Sequence, residues 1–228
     1  MNALLVRLEA PMMSFGGSQI DGWGPTGRWP TRSMLVGFLL NGIGIDSKDP
    51  EGIRALYNTQ DRLRYAVRCD RPGQLTTDFQ TVDLSLAPDE IPTQFGWSAL
   101  RKRKDYKDDR AMAIRHRQYL VDASYVVAIT LDPGDGPSLA DLREGLEDPV
   151  GTLFIGRLNC LPTKPPFMAE VETPTLGEAL KTPGTFKARV PVEEPLENSR
   201  VVPVIEDRDW RNGIVVGRRL VREGVISC

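Results

Sequence analysis

The chain has 228 residues, 40% of them apolar and 26% charged, the balance of a soluble globular protein able to bury a large core. A net charge of −2 excludes recognition of nucleic acid through overall basicity, so any such function must rest on local patches. Three widely spaced cysteines (Cys69, Cys160, Cys228), no C-x-x-C and one histidine argue against a disulfide framework or a zinc site, and reduced thiols in the cytoplasm are the expectation. No apolar run nears the ~18 residues of a membrane span, and MNALLVRLEAP is too short for a signal peptide. Neither a metal, a cofactor nor a membrane is expected.

Ala3 to Leu8 alternates and predicts a first strand. A long arm follows, with Met12, Met13, Phe15, Ile20, Trp23 and Trp29 set among five glycines between Gly16 and Gly27. An arm of this length is usually functional or interface-forming. Pro30 holds Trp29 extended, and Thr31 is placed to cap a helix running to about Asn41, with Leu35, Phe38 and Leu39 facing the core. Arg28 and Arg32 flank that junction, so free N–H groups at the helix start together with two guanidinium groups would suit a phosphate. An ordinary strand-to-helix turn with solvated arginines explains the same letters, and both readings stand at this point. Gly22, Gly24 and Gly27 have G-x-G-x-x-G spacing, but the first strand ends near Glu9 and Pro25 and Pro30 interrupt the helix start.

Asp49 and Pro50 predict a second helix to about Asn58, and Arg62 to Cys69 a second strand closed by the turn Arg71-Pro72-Gly73. Ser124 to Leu131 reads as a central strand, Ser138 as the cap of a helix to about Glu147, and Gly151 to Gly156 as a further short strand. This order predicts an α+β fold with a ferredoxin-like, RNA-recognition-like sheet formed by 1–73 and 119–158. Between its halves, 74–118 is an insertion: a β-prone run, then Phe95, Trp97 and Tyr106 interleaved with basic residues. Arg101, Lys102, Arg103, Lys104, Lys107, Arg110, Arg115 and Arg117, diluted by Asp105, Asp108 and Asp109, leave a local charge of +5. A solvated hairpin and a nucleic-acid grip both fit that pattern. The proline-rich remainder, 159–228, predicts a small β-rich subdomain with a helical turn at Leu176–Lys181 and strands at Phe186–Val190, Val201–Ile205 and Ile214–Val225.

Five segments carry a resemblance: LLVRLEAPMMSFG at 4–16, PTGRWPTRSMLVGFL at 25–39, YAVRCDRPG at 65–73, RHRQYLVDASYVVAI at 115–129 and GTLFIGRLNCLPTKPPF at 151–167. In this order they resemble the Cas-five family, in the branch that serves the type I-E CRISPR surveillance complex, Cascade. The likeness spans about three quarters of the chain and fades after about residue 185, where only Asp209-Trp210 echoes it. It implies a palm with an inserted β-hairpin thumb (74–118), and a subunit that caps the complex by holding the 5′ handle of the CRISPR RNA. Its implied partners are the repeating backbone subunit and the large subunit, with target DNA met only through the complex, in antiviral defence. The RNA-binding set implied here is Gly24, Thr26, Gly27, Arg28, Trp29, Arg32 and Ser33 in the arm, with bases resting on Trp23 or Trp29. Arg101, Arg103, Lys104, Lys107 and Arg110 of the thumb and Arg115 and Arg117 at its return complete the set.

His116 is the one residue suited to acid–base work near neutrality, with Tyr119, Arg115 or Lys107 as candidate helpers. It reads equally as one more polar residue on a basic hairpin. The resemblance implies that type I-C members cut guide RNA with a tyrosine, a lysine and a histidine, whereas type I-E members do not cut. No tyrosine lies in 25–45, and no paired carboxylates or nucleophile motif stand out. The expectation is a binding protein without catalysis, the alternatives being an endoribonuclease using His116 and an assembly-only module docking through Met12, Met13, Phe15 and Trp23.

Overall fold

Alternating burial along the first residues builds a strand, β1 (Asn2–Glu9), with Leu4, Val6 and Leu8 turned into the core. The computed structural model describes residues 1–17, 22–83 and 112–227. Along them follow β2 (Met12–Met13), β3 (Trp23–Gly24), α1 (Arg32–Gly42), α2 (Pro50–Arg62), β4 (Leu63–Arg71), β5 (Gln74–Asp83), β6 (Met112–Val121) and β7 (Ser124–Leu131). Then come α3 (Leu139–Glu147), β8 (Phe167–Glu172), α4 (Leu176–Ala179), β9 (Thr185–Pro191), β10 (Glu197–Val204), β11 (Asp207–Asp209), β12 (Ile214–Val216) and β13 (Arg219–Ser227).

Among the described residues a mixed α/β architecture forms around one large antiparallel sheet, ordered β10-β13-β9-β4-β7-β1-β8. The near-continuous apolar run SYVVAITL makes β7 an inner strand, between β4 and β1, because both faces there are covered. On one face lie α1, α2 and α3, contributing Leu35, Leu39, Leu56 and Leu142 against Leu4, Val127 and Ile129. On the other, α4 places Leu176 over the small side chains Ala66, Ala128 and Ala188. Residues 159–228, expected as a subdomain beside the palm, supply β8 to one edge of this sheet and β9, β13 and β10 to the other.

The helix starts follow their capping chemistry. The Thr31 hydroxyl accepts the Met34 N–H, Pro50 opens α2, and Ser138 and Asp141 form a reciprocal capping box. Hydrogen bonds from Ser138 hold the Asp141 carboxyl below its usual range. Gly151–Gly156 is not a strand. Leu153 and Ile155 are buried, but Gly156 turns at φ +91° and the Ile155 N–H returns to the Cys160 carbonyl, so the segment is a loop tucked against the core. The single strand expected over Ile214–Val225 is two, β12 and β13, broken where Gly217 takes φ +75°.

A smaller sheet stands beside the large one. β6 pairs with β2 and β5 antiparallel and with β3 parallel. The segment between β5 and β6, which holds Phe95, Trp97, Arg101, Arg103, Lys104, Lys107 and Arg110, lies outside the described residues. No described helix is long and apolar enough to cross a membrane.

Candidate nucleic-acid interface

The glycine-rich arm is fastened at both ends. Phe15 is fully buried, and its ring meets Tyr125 edge-on with centroids 5.3 Å apart. Its N–H donates to the Thr26 hydroxyl at 2.8 Å, and the Gly27 N–H donates to the Gly16 carbonyl at 3.0 Å, with Gly16 at φ +80°. Two residues before Thr26, β3 ends, and it lies along β6: the His116 N–H donates to the Gly22 carbonyl, and Arg157 donates to the carbonyls of Gly24 and Gln118, at 2.9 Å each. The Thr26 N–H approaches Gln118 Oε1 at 3.4 Å.

Arg28 is exposed and forms no ion pair among the described residues, while its carbonyl accepts from the Tyr125 hydroxyl at 2.7 Å. Burial pushes the Tyr125 phenol up, so it stays a donor. Trp29 is half-buried against the core beside Tyr125, and the Arg189 guanidinium sits 4.9 Å above its ring. The indole is therefore packed on one side and covered by a cation on the other.

Open N–H groups were expected at the start of α1, and the chain closes them itself. The Ser33 N–H donates to the Glu206 carbonyl at 3.0 Å and the Met34 N–H to Thr31. Arg32 is drawn into a 3.4 Å ion pair with Asp207, whose carboxyl is raised by burial. The Glu206 side chain is buried between the Tyr65 hydroxyl, which donates at 2.8 Å, and an ion pair to Arg219. Burial, reinforced by the Glu206 charge, drives the Tyr65 phenol far up. Residues 205–207 thus lock the strand end after β10 to the helix start.

The cationic surface that remains is a groove. Gly16, Gly17, Gly27 and Arg28 form one wall and Arg189, Arg200 and Val202 the other. Arg189 and Arg200 share Glu223; burial opposes ionisation of that carboxyl, but the two arginines hold it below the usual range. Glu206, also in the lining, is matched by Arg219, so Arg28, Arg189 and Arg200 are set against the single carboxylate of Glu223 and the groove keeps a positive excess. Arg157, Arg189, Arg200 and Glu206 escaped the sequence reading, since their meaning comes from strands brought together from distant segments.

His116 lies away from this groove, between the rings of Trp23 and Phe79. Tyr119 is on the opposite face of β6, buried beneath Arg157 and bonded by Asn159, so it is not a partner for His116. Arg115 and Arg117 share that opposite face, Arg117 in register with Gly24 and Asp78. Lys107 lies outside the described residues. Among the described residues no three His, Cys, Asp or Glu side chains gather to hold a metal.

Comparison with known proteins agrees with this architecture. The family model described as CRISPR-associated protein (Cas_Cas5) matches residues 3–222. The "CRISPR system Cascade subunit CasD" of Escherichia coli (strain K12) is 32% identical over 179 residues, covering 78% of this chain and 75% of that protein. A chain of a "CRISPR RNA-guided surveillance complex" superposes with TM-score 0.70 at 25% identity, covering 98% of this chain and 90% of its own. A "Crystal structure of Cas protein" superposes with TM-score 0.62 at 26% identity, covering 99% and 95%.

Proposed function

This chain belongs to the CRISPR-associated protein (Cas_Cas5) family, and from that premise we propose that it is a non-catalytic RNA-binding subunit of a Cascade-type surveillance complex. In this reading the strands β4-β7-β1-β8, crossed on one face by α1, α2 and α3, are a ferredoxin-like palm, and β5 and β6 lead into a thumb. The subunit caps the complex by gripping the 5′ handle of the CRISPR RNA, docks the repeating backbone subunit and the large subunit, and meets target DNA only through the complex.

The observation that carries the proposal is the groove in which Arg28, on a fastened loop, faces Arg189 and Arg200. Phosphates enter it along Gly16 and Gly27, where no side chain blocks approach, and Arg28 and Arg200 supply charge-assisted hydrogen bonds. Gly24, Thr26 and Ser33 shape the arm, Trp29 supports Arg189, and Arg32 acts as a positioning residue through Asp207. Arg101, Arg103, Lys104, Lys107 and Arg110 reach toward the adjacent backbone subunit and the first guide nucleotide, with Arg115 and Arg117 at their return. The absence of catalysis is supported by the setting of His116, whose candidate helper Tyr119 is buried on the opposite face of β6 beneath Arg157.

The test is incubation with labelled CRISPR repeat RNA, with and without chelator, reading mobility and fragment size together. Retarded, uncut RNA whose retention falls with Arg28→Ala and Arg200→Ala supports the proposal. Fragments that vanish with His116→Ala overturn it in favour of a ribonuclease. RNA left unbound at low salt by both chain and complex overturns it in favour of a docking module.

A further inference from the structure

Arg200 of β10, Glu223 of β13 and Arg189 of β9 are register partners on one face of the large sheet, in a row that starts at buried Val67 of β4 and runs out to the sheet edge. All three charged residues line the groove that Arg28 closes from the other side. The carboxylate between them is shared unequally. Its Oε2 takes two donors of Arg189, Nε and Nη2, at 2.7 Å each, and the Arg189 guanidinium is pinned further by the Trp29 ring 4.9 Å away. Among the described residues Oε1 is held by Arg200 Nη2 alone, at 3.3 Å, and that arginine side chain is 76% exposed. Arg189 is therefore fixed, whereas Arg200 is free to turn to a phosphate and uncover Oε1.

We infer that Glu223 makes the groove select RNA over DNA, its Oε1 accepting a hydrogen bond from a ribose 2′-hydroxyl once Arg200 has turned to phosphate; the inference rests on the RNA-binding reading above. A carboxylate in a phosphate-binding groove repels the ligand unless the ligand brings a donor to it. Along a nucleic-acid backbone the phosphates only accept. The 2′-hydroxyl of ribose is the donor, and deoxyribose has none. An RNA strand therefore satisfies Oε1, while a DNA strand leaves it ionised and unpaired beside its own phosphates. Pinning Arg189 uses Oε2 alone, so the second oxygen is available for this work. In a complex that also meets target DNA, reading the sugar here keeps DNA out of the handle groove.

The inference is tested by fluorescence anisotropy with labelled CRISPR repeat RNA, its all-DNA counterpart, and repeat RNAs carrying one 2′-deoxy or one 2′-fluoro nucleotide at each handle position in turn. These are titrated into the full chain and into the assembled complex, with the parent and with Glu223→Gln. The 2′-fluoro group matters because it cannot donate. In the parent, RNA is expected to bind more tightly than DNA, and one handle position should lose roughly 10-fold with either modification, the weight of a hydrogen bond to a charged group. In Glu223→Gln a neutral amide oxygen accepts more weakly, so that loss should shrink to about 3-fold and the RNA-to-DNA affinity ratio should fall. If the parent binds RNA and no position is sensitive to losing its hydroxyl donor, the selection is overturned while the RNA-binding reading survives, and this arm needs no variant to fold. A penalty of equal size in parent and Glu223→Gln assigns the sugar contact to another residue and overturns it too. RNA and DNA affinities rising together in Glu223→Gln would make the carboxylate a brake on all phosphates, again against selection. RNA left unbound by parent chain and complex alike overturns both readings together.

Discussion

Replacing Glu206 by Ala should unfold the junction between the end of β10 and the start of α1. The carboxylate is 5% exposed as a side chain, its Arg219 partner 19%, and it also takes the Tyr65 hydroxyl hydrogen bond. Removing it strands a mostly buried guanidinium and a buried phenol, and breaking one side of such a pair costs about 3–5 kcal/mol. Equilibrium urea unfolding reads this directly. With a slope of about 3 kcal/mol/M, the midpoint should fall by about 1 to 1.7 M. The reasoning has a second arm. Arg219→Met added to Glu206→Ala removes the stranded charge, so the double variant should recover part of the loss, about 1–3 kcal/mol. A Glu206→Ala midpoint within about 0.3 M of the parent, or a double variant less stable than the single, would refute the claim that this pair locks the helix start.

Gly156 turns at φ +91°, and a Cβ there would collide with the Ser14 carbonyl, so Gly156→Ala should cost about 2–5 kcal/mol, seen as a lowered unfolding midpoint. The Tyr57 hydroxyl, ahead of Asn212, holds the Asp209 carboxyl down to about 2, so Tyr57→Phe should move its titration up toward 3.8, followed by carbon NMR of the carboxyl. Because the folded value is depressed, this contact stabilises the fold above about pH 4 and fades as pH falls toward 2; the variant should lose that part of the acid dependence. Glu223 behaves with the same sign, so Glu223→Gln should flatten the pH dependence of stability below its ordinary carboxylate range.

The elements that sequence made legible are those whose signals are local. Alternation drew β1 and β4, an unbroken apolar run drew β7, and Thr31, Pro50 and Ser138 marked three helix starts. The loop at 151–156 was misread because burial of Leu153 and Ile155 comes from a tertiary fit beneath the arm and not from a ladder. Strand β3 is two residues long and exists only because β6 lies beside it, so nothing in Trp23-Gly24 could announce it. At the candidate site Arg28 was legible from its place beside Pro30 and Thr31. Arg189, Arg200 and Glu223 were not, since their grouping depends on β9, β10 and β13 joining the edge of the large sheet. Glu206 and Asp207 sit in a polar stretch that reads as surface; their burial follows from closing the helix start, a job assigned by position in space alone.

The account's central claim is that Arg28 meets RNA phosphate, and its most direct test is the salt dependence of RNA affinity for the parent and for Arg28→Ala. For single-stranded RNA each phosphate contact adds about −0.7 to the slope of log K against log salt. The account predicts weaker binding for Arg28→Ala at every salt concentration, with a slope shallower by about 0.7. An unchanged slope, with affinity equal to the parent at low salt, would contradict it and place the RNA away from the arm.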